Sequence, residues 1–225
     1  MNHPPLVSRP HGGVLELRLN RPERLNALTH ELSGALLDVL ARAQADAAVR
    51  VVLLTAEGRA FCAGKDRDDP PSPAFVDTLQ QVAATMLTGS KPVVAAVQGW
   101  AVGAGFELAL GADLIVAGHD ARFKLPETQL GLPATGGVHM LLPRLVGTAR
   151  AKGLLWLGRE LDAGQAHQWG MVWELVEPSV LQGRALALAQ ELAQLTPEAL
   201  SRVKRLIHDG LLPDVPQALE REAAP

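Results

Sequence analysis

The chain contains no tyrosine, so any mechanism that needs a phenol as its acid is excluded. It contains one cysteine, Cys62, which rules out an internal disulfide and fits a reducing compartment. No histidine stands near Cys62 in sequence, so a buried packing thiol is favoured over a nucleophile. Positive charge is not in excess. The net charge of -3 argues against a nucleic-acid partner, which needs a basic face. No apolar run reaches the length of a membrane span, and residues 1–10 lack the apolar stretch of a signal peptide. A cytoplasmic protein with no membrane partner is expected. The seven histidines are scattered without metal-ligand spacing, and neither H-E-x-x-H nor C-x-x-C occurs, so no metal is expected.

What is present is a chain of 225 residues, 48% hydrophobic and 20% charged, which suits one globular domain, or one with a helical appendage. Alternation of apolar and polar residues over 13–19 predicts a strand. Asn20-Arg21-Pro22 breaks it. Thr29 then caps a predicted helix over about 30–46, with Leu32, Leu36, Leu37, Leu40 and Ala43 on one face. Apolar strands are predicted at 51–54, 93–97 and 112–117, with shorter ones at 122–125 and 171–176. A helix is predicted over 74–87. From about 138 the pattern is mostly helical: 138–142, 147–157, 162–168, 178–194 and 196–209, with a last amphipathic segment at 216–222. Alternating strands and helices followed by helices give an α/β core over 1–175 and a helical segment over 176–225.

The stretch that organises the rest is PVVAAVQGWAVGAGFE, residues 92–107. A buried strand runs into a glycine-rich turn and then into the start of a helix. The first N–H groups of a helix have no internal partner, so this arrangement can hold an anion or a developing oxyanion. Glu107 falls in the first helical turn, on the same side as those N–H groups. A carboxylate beside an oxyanion site suits a proton-moving role. Three other readings compete. A dinucleotide-binding turn needs a third glycine where Leu108 stands. A tight turn without a ligand and a solvated glutamate are also open.

A second glycine turn follows the strand at 51–54, in AEGRAFCAGKD, residues 56–66. It is a near miss to a phosphate-binding P-loop. Its glycines are one residue too far apart, and Asp66 stands where a Ser or Thr would hold magnesium. Pro126-Glu127 opens a further loop that ends in Gly136-Gly137. Taken alone, Glu127 reads as a capping or solvated loop residue.

Four segments in one order carry a resemblance: Asn20-Arg21-Pro22 with Asn26-Ala27-Leu28; residues 59–66; residues 99–107; and Pro126-Glu127 with Gly136-Gly137. Over about 13–222 the chain resembles the crotonase, or enoyl-CoA hydratase/isomerase, superfamily. The resemblance implies a spiral of ββα units with a C-terminal helical region that builds homotrimers or hexamers. It implies that the backbone N–H groups of Lys65 and Ala104 hold an acyl-CoA thioester oxygen, the Lys65 side chain being incidental. Coenzyme A, a part of the substrate rather than a cofactor, would lie along Arg24, Leu25, Ala63, Gly64 and Asp66. Glu107 and Glu127 fall where hydratases keep two catalytic glutamates. Glu107 would activate water for attack at Cβ, and Glu127 would exchange the proton at Cα.

The implied activity is that of an enoyl-CoA hydratase, a carbon–oxygen lyase of fatty acid metabolism. An enoyl-CoA isomerase and a carnitinyl-CoA dehydratase-like enzyme are the alternatives. A catalytically impaired acyl-CoA-binding or assembly partner is the alternative of another class. Phe106, Pro133 and Gly136 are candidates to line the acyl pocket, and His139 reads as a surface or helix-packing residue that could also touch substrate. Two departures stand out against the family pattern. The loop from Glu127 to Gly136 is one residue shorter, and the C-terminal helical region is shortened.

Overall fold

The computed structural model describes residues 4–70, 72–212 and 214–223. The first part runs through β1 (Leu6–His11), β2 (Val14–Leu19), α1 (His30–Ala45), β3 (Val51–Ala56), α2 (Pro73–Thr88) and β4 (Val93–Val97). The middle holds β5 (Trp100–Val102), α3 (Ala104–Leu110), β6 (Leu114–Gly118), β7 (Arg122–Lys124), α4 (Val138–Val146) and α5 (Thr148–Leu157). The last part holds β8 (Leu161–Asp162), α6 (Ala163–Gln168), β9 (Glu174–Val176), α7 (Leu181–Ala193), α8 (Pro197–Leu211) and α9 (Val215–Ala223).

Six strands form one sheet in the order β1-β2-β3-β4-β6-β9, and β5-β7-β8 form a second. β1 is antiparallel to β2, and the other neighbours in the larger sheet are parallel. Parallel neighbours need crossover connections, which α1, α2 and the β5–α3 segment supply. The result is the expected α/β spiral with a helical C-terminal region.

β3 and β4 read VVLLTA and VVAAV and are buried along their whole length. Strands covered on both faces lose the alternation of polar and apolar residues. The period of two still divides their side chains. Val51, Leu53, Val94 and Ala96 pack with Leu181, Ala185 and Leu188 of α7 on one face. Val52, Leu54, Val93 and Ala95 join the larger core on the other, with Leu32, Leu36, Phe75, Val82 and Met86 from α1 and α2. The α1 start is as the sequence predicts: the Thr29 hydroxyl accepts from Leu32 N at 3.1 Å.

Two strands have weak signals in sequence. β1 (LVSRPH) is an edge strand containing Pro10, which only an edge tolerates. β5 is three residues long and sits where Gln98-Gly99-Trp100 reads as a break. That break is the crossing from the large sheet into the small one.

α8 is amphipathic in the reverse sense. Lys204 is its buried residue, donating to Met86 O at 2.7 Å and to Asp113 Oδ2 at 2.8 Å. Its apolar residues Val203, Leu206, Ile207 and Leu211 are exposed. Among the described residues, no helix is long and apolar enough to cross a membrane.

Candidate active site

Two backbone bends meet at the start of α3. Gly103 caps that helix at φ 52, ψ -127, a conformation that glycine alone adopts readily. Phe106 N and Glu107 N return to Gly103 O at 2.8 and 2.9 Å. Ala104 N–H, in the first turn, has no intrahelical acceptor. The other bend is residues 62–66. Leu28 N donates to Gly64 O at 2.7 Å and Asp66 N to Leu28 O at 2.8 Å, a parallel bridge centred on Lys65. In such a bridge the central residue's own N–H faces away from the partner strand. Gly64 has φ +89, and a Cβ there would lie 2.8 Å from Val102 O and 3.7 Å from Ala104 N. The two bends are thus in contact. The Lys65 side chain leaves the bend, donating to Asp69 O at 2.5 Å and lying over the Phe75 ring at 4.6 Å.

Two carboxyl groups stand beside these bends. Glu107 is 6% exposed, and its Oε1 accepts from Thr135 N at 2.8 Å and Gly136 N at 3.0 Å. Burial pushes its pKa up to about 7; the two amides oppose the rise, and the Glu127 and Glu222 charges add to it. Glu127 heads a short 3-10 turn after Pro126. Its Oε1 lies so close to Gly103 that a Cβ there would approach to 2.6 Å. Its Oε2 is buried without a hydrogen-bond partner. Burial raises the Glu127 pKa too. A buried carboxylate oxygen with no donor is costly unless something arrives to satisfy it.

Beside Glu107 lies a void of about 10 Å³, lined by Leu79, Val82, Met86, Ala104, Leu108 and Gly136, among others. That is room for about one water. Gly136, a candidate to line the acyl pocket, lines this void. Phe106 does not. It is 1% exposed and packs on Phe123, centroids 5.1 Å apart, on the core side of α3. The helical period turns Leu108, not Phe106, toward the void.

Around the second bend, Leu25 O accepts from Ala63 N at 3.0 Å. The Arg24 and Asp66 side chains are engaged with each other and with neighbours. Asp66 takes Arg21 at 2.9 Å and Arg24 at 3.4 Å, and Arg24 also pairs with Asp68. The Asp68 amide and the Arg21 guanidinium hold the Asp66 carboxyl below the usual carboxylate range. Leu25 and Asn26 are consecutive left-handed residues, φ 50 and 55. Asn26 is fully buried and makes this conformation tolerable. Its Oδ1 accepts from Arg21 N at 2.8 Å, and its Nδ2 donates to Glu57 O at 2.8 Å and Ala60 O at 2.9 Å. Asn26→Ala would strand three backbone groups, one of them fully buried and two partly. It is expected to lower unfolding free energy by about 3 kcal/mol in urea denaturation, and a loss below about 1 kcal/mol would contradict the role.

One participant escaped the sequence reading. Glu222, on α9, is 8% exposed and accepts from Gly137 N at 2.7 Å and His139 N at 3.0 Å. The His139 ring lies 3.1 Å from Glu222 Oε1, and this contact raises the His139 pKa. Glu222 is 115 residues from Glu107 in sequence, and no local pattern announces it. Between α4 and α9 opens a cleft of about 590 Å³, lined in part by Pro133, His139, Met140, Arg144, Arg221 and Glu222. Pro133 thus lines this cleft rather than the void beside Glu107. Among the described residues, no three His, Cys, Asp or Glu are placed to share a metal ion. Cys62 is buried beneath the bends, and burial pushes its thiol up to about 12, leaving it a packing residue.

A family model described as enoyl-CoA hydratase/isomerase matches residues 9–224. A 1,2-epoxyphenylacetyl-CoA isomerase from Escherichia coli K12 is 40% identical over 218 residues, covering 91% of this chain and 82% of the relative. A 2,3-dehydroadipyl-CoA hydratase from the same organism is 38% identical over 202 residues, covering 88% and 79%. The crystal structure of an enoyl-CoA hydratase from Mycobacterium avium subsp. paratuberculosis K-10 superposes with a TM-score of 0.93 at 29% identity, covering 99% of this chain and 92% of that one.

Proposed function

The chain belongs to the enoyl-CoA hydratase/isomerase family, and on that premise we propose that it is an enoyl-CoA hydratase, adding water reversibly and syn across a 2-enoyl-CoA thioester. The observation that carries the reading is the pair of buried carboxyls Glu107 and Glu127, both raised in pKa, set beside the two bends that meet at the start of α3. In this reading Lys65 N–H and Ala104 N–H take the thioester oxygen. Coenzyme A runs along Arg24, Leu25, Ala63, Gly64 and Asp66. The amides lower the barrier because charge moves onto that oxygen as Cβ is attacked. The dipole of α3 acts in the same direction.

Water would sit between the carboxyls, where the buried, unpartnered Glu127 Oε2 offers an acceptor. Ionised Glu107 takes a proton from the water as its oxygen bonds to Cβ. Protonated Glu127 gives its proton to Cα, and the pair then exchanges one proton to reset. With a pKa of about 7, Glu107 populates both forms at neutral pH, which suits a reversible step.

The family description, which joins isomerases to hydratases, supports a second reading, in which one carboxyl shuttles a proton on an enoyl-CoA and no water is added. A carnitinyl-CoA dehydratase-like reaction would use the same pair in reverse. The exposed apolar stripe of α8 supports assembly into homotrimers or hexamers. A cytoplasmic location is part of the same proposal.

The test is crotonyl-CoA with the purified protein, following loss of the conjugated enoyl absorbance across pH. Hydration is expected, with kcat/KM rising through about pH 7 as Glu107 ionises and falling once the pair has lost its second proton. Turnover of a 3-enoyl-CoA alone would favour the isomerase. Binding of the thioester with no turnover of either would overturn both.

A further inference from the structure

The turn over residues 135–139 spends its amides on two carboxylates from two distant elements. Thr135 N and Gly136 N donate to Glu107 of α3, at 2.8 and 3.0 Å. Gly137 N and His139 N donate to Glu222 of α9, at 2.7 and 3.0 Å. The turn is the N-terminus of α4, and no side chain of its own caps it. Glu222 supplies that cap from the last helix. Among the described residues, one further side chain ties α9 to this turn. The Gln80 side chain donates to Leu219 O at 2.6 Å and to Thr135 O at 3.0 Å, joining α9 to the same turn. Leu219 and Val215 seal the underside as core residues.

We propose that Glu222 is a positioning residue of this site: by holding two amides of the 135–139 turn, it fixes the turn whose other two amides hold Glu107. The proposal rests on the reading of Glu107 as a catalytic carboxyl. A turn that is rigid at Gly137 and His139 presents Thr135 N and Gly136 N in register. A turn that is free there can rotate them off Glu107, because Gly136 and Gly137 offer little resistance. Docking of α9 and readiness of Glu107 are thereby one event. The charged groups around Glu222 are His139 and Arg144 of α4, Glu107 of α3, Glu127 of the 3-10 turn, and Asp214 and Arg221 of α9. His139 is the one in contact, and it also feels the charges of the two site carboxyls.

Glu222→Gln and Glu222→Ala separate this role from mere helix anchoring. The Glu107 carboxyl is followed by carbon-13 NMR of glutamate-labelled protein, with Glu107→Gln supplying the assignment. In Glu222→Gln the Glu107 midpoint is expected to move down by roughly half to one pH unit, since a neighbouring negative charge has gone. The acid limb of kcat/KM should move with it while KM stays within about twofold. In Glu222→Ala, hydrogen exchange of the Thr135 and Gly136 amides should quicken by about tenfold or more, along with Gly137 and His139. Faster exchange at Gly137 and His139 alone, with Thr135 and Gly136 unchanged, overturns the proposal whatever the Glu107 midpoint does, because loss of the Glu222 charge moves that midpoint without the turn. The NMR and exchange readouts need no turnover. A wild-type protein that hydrates nothing would sink the hydratase reading, yet leave this coupling to be judged.

Discussion

Glu107→Gln is expected to reduce crotonyl-CoA hydration by about 10²–10⁴-fold, the span a positioned general base or acid supplies. The substitution is nearly isosteric. The amide oxygen can still accept from Thr135 N and Gly136 N, so the turn and the void keep their shape. The loss should therefore fall on kcat, with KM little changed, which marks an interaction made only in the transition state. Glu127→Gln is expected to fall as far, because each carboxyl handles one of the two protons that move. The two losses should not add, since either variant already breaks the pair. One variant dead and the other near wild type, on a 3-enoyl substrate, is the isomerase outcome. Two variants within threefold of wild type would remove both carboxyls from the chemistry.

Gly103→Ala is expected to be nearly as damaging for a different reason. The residue sits at φ 52, ψ -127, where an L side chain is strained by about 1–3 kcal/mol. Its Cβ would also meet Glu127 Oε1 at 2.6 Å. Relief requires either that Glu127 swing away or that the start of α3 turn, taking Ala104 N–H with it. Removing one oxyanion donor costs about 10²–10³ in kcat, and displacing Glu127 costs further. Gly131→Ala is the control. Gly131 is also left-handed, φ +75, but nothing lies within 4 Å of a Cβ there. It should lose a little stability and keep its rate. Equal behaviour of the two alanine variants would mean that the crowding at Gly103 has no catalytic meaning.

Much of this architecture was legible in residues 13–130, because local signals there agree. Buried β-branched runs announce β3 and β4, and Thr29 announces α1. Glycines at 64 and 103 mark the bends, and Glu107 falls at a fixed offset from Gly103. What the sequence hid depends on contacts between distant segments. Phe106 and Leu108 differ by two positions in a short helix and both join the core, and only the packing of Phe106 on Phe123 decides which of them borders the void. Asn26 is recognisable as part of a motif, but its three backbone partners lie at 21, 57 and 60. Lys204 reads as a surface charge until Met86 O and Asp113 are brought beneath it. Glu222 belongs to an amphipathic segment with ordinary composition, and its meaning comes from the amides it reaches.

The burial of Glu107 has a thermodynamic side. A rise from an ordinary 4.5 to about 7 means that the folded chain holds this proton more tightly than the unfolded one. For an acid shifted upward, that preference supports the fold at low pH and is lost as pH climbs from about 4.5 to about 7. Above that window the native state is poorer by roughly 3 kcal/mol than it would be with an unperturbed acid in that place. This one group therefore weighs most against the fold above about pH 7, and a ligand that gave its carboxylate further donors would relieve that cost as it bound.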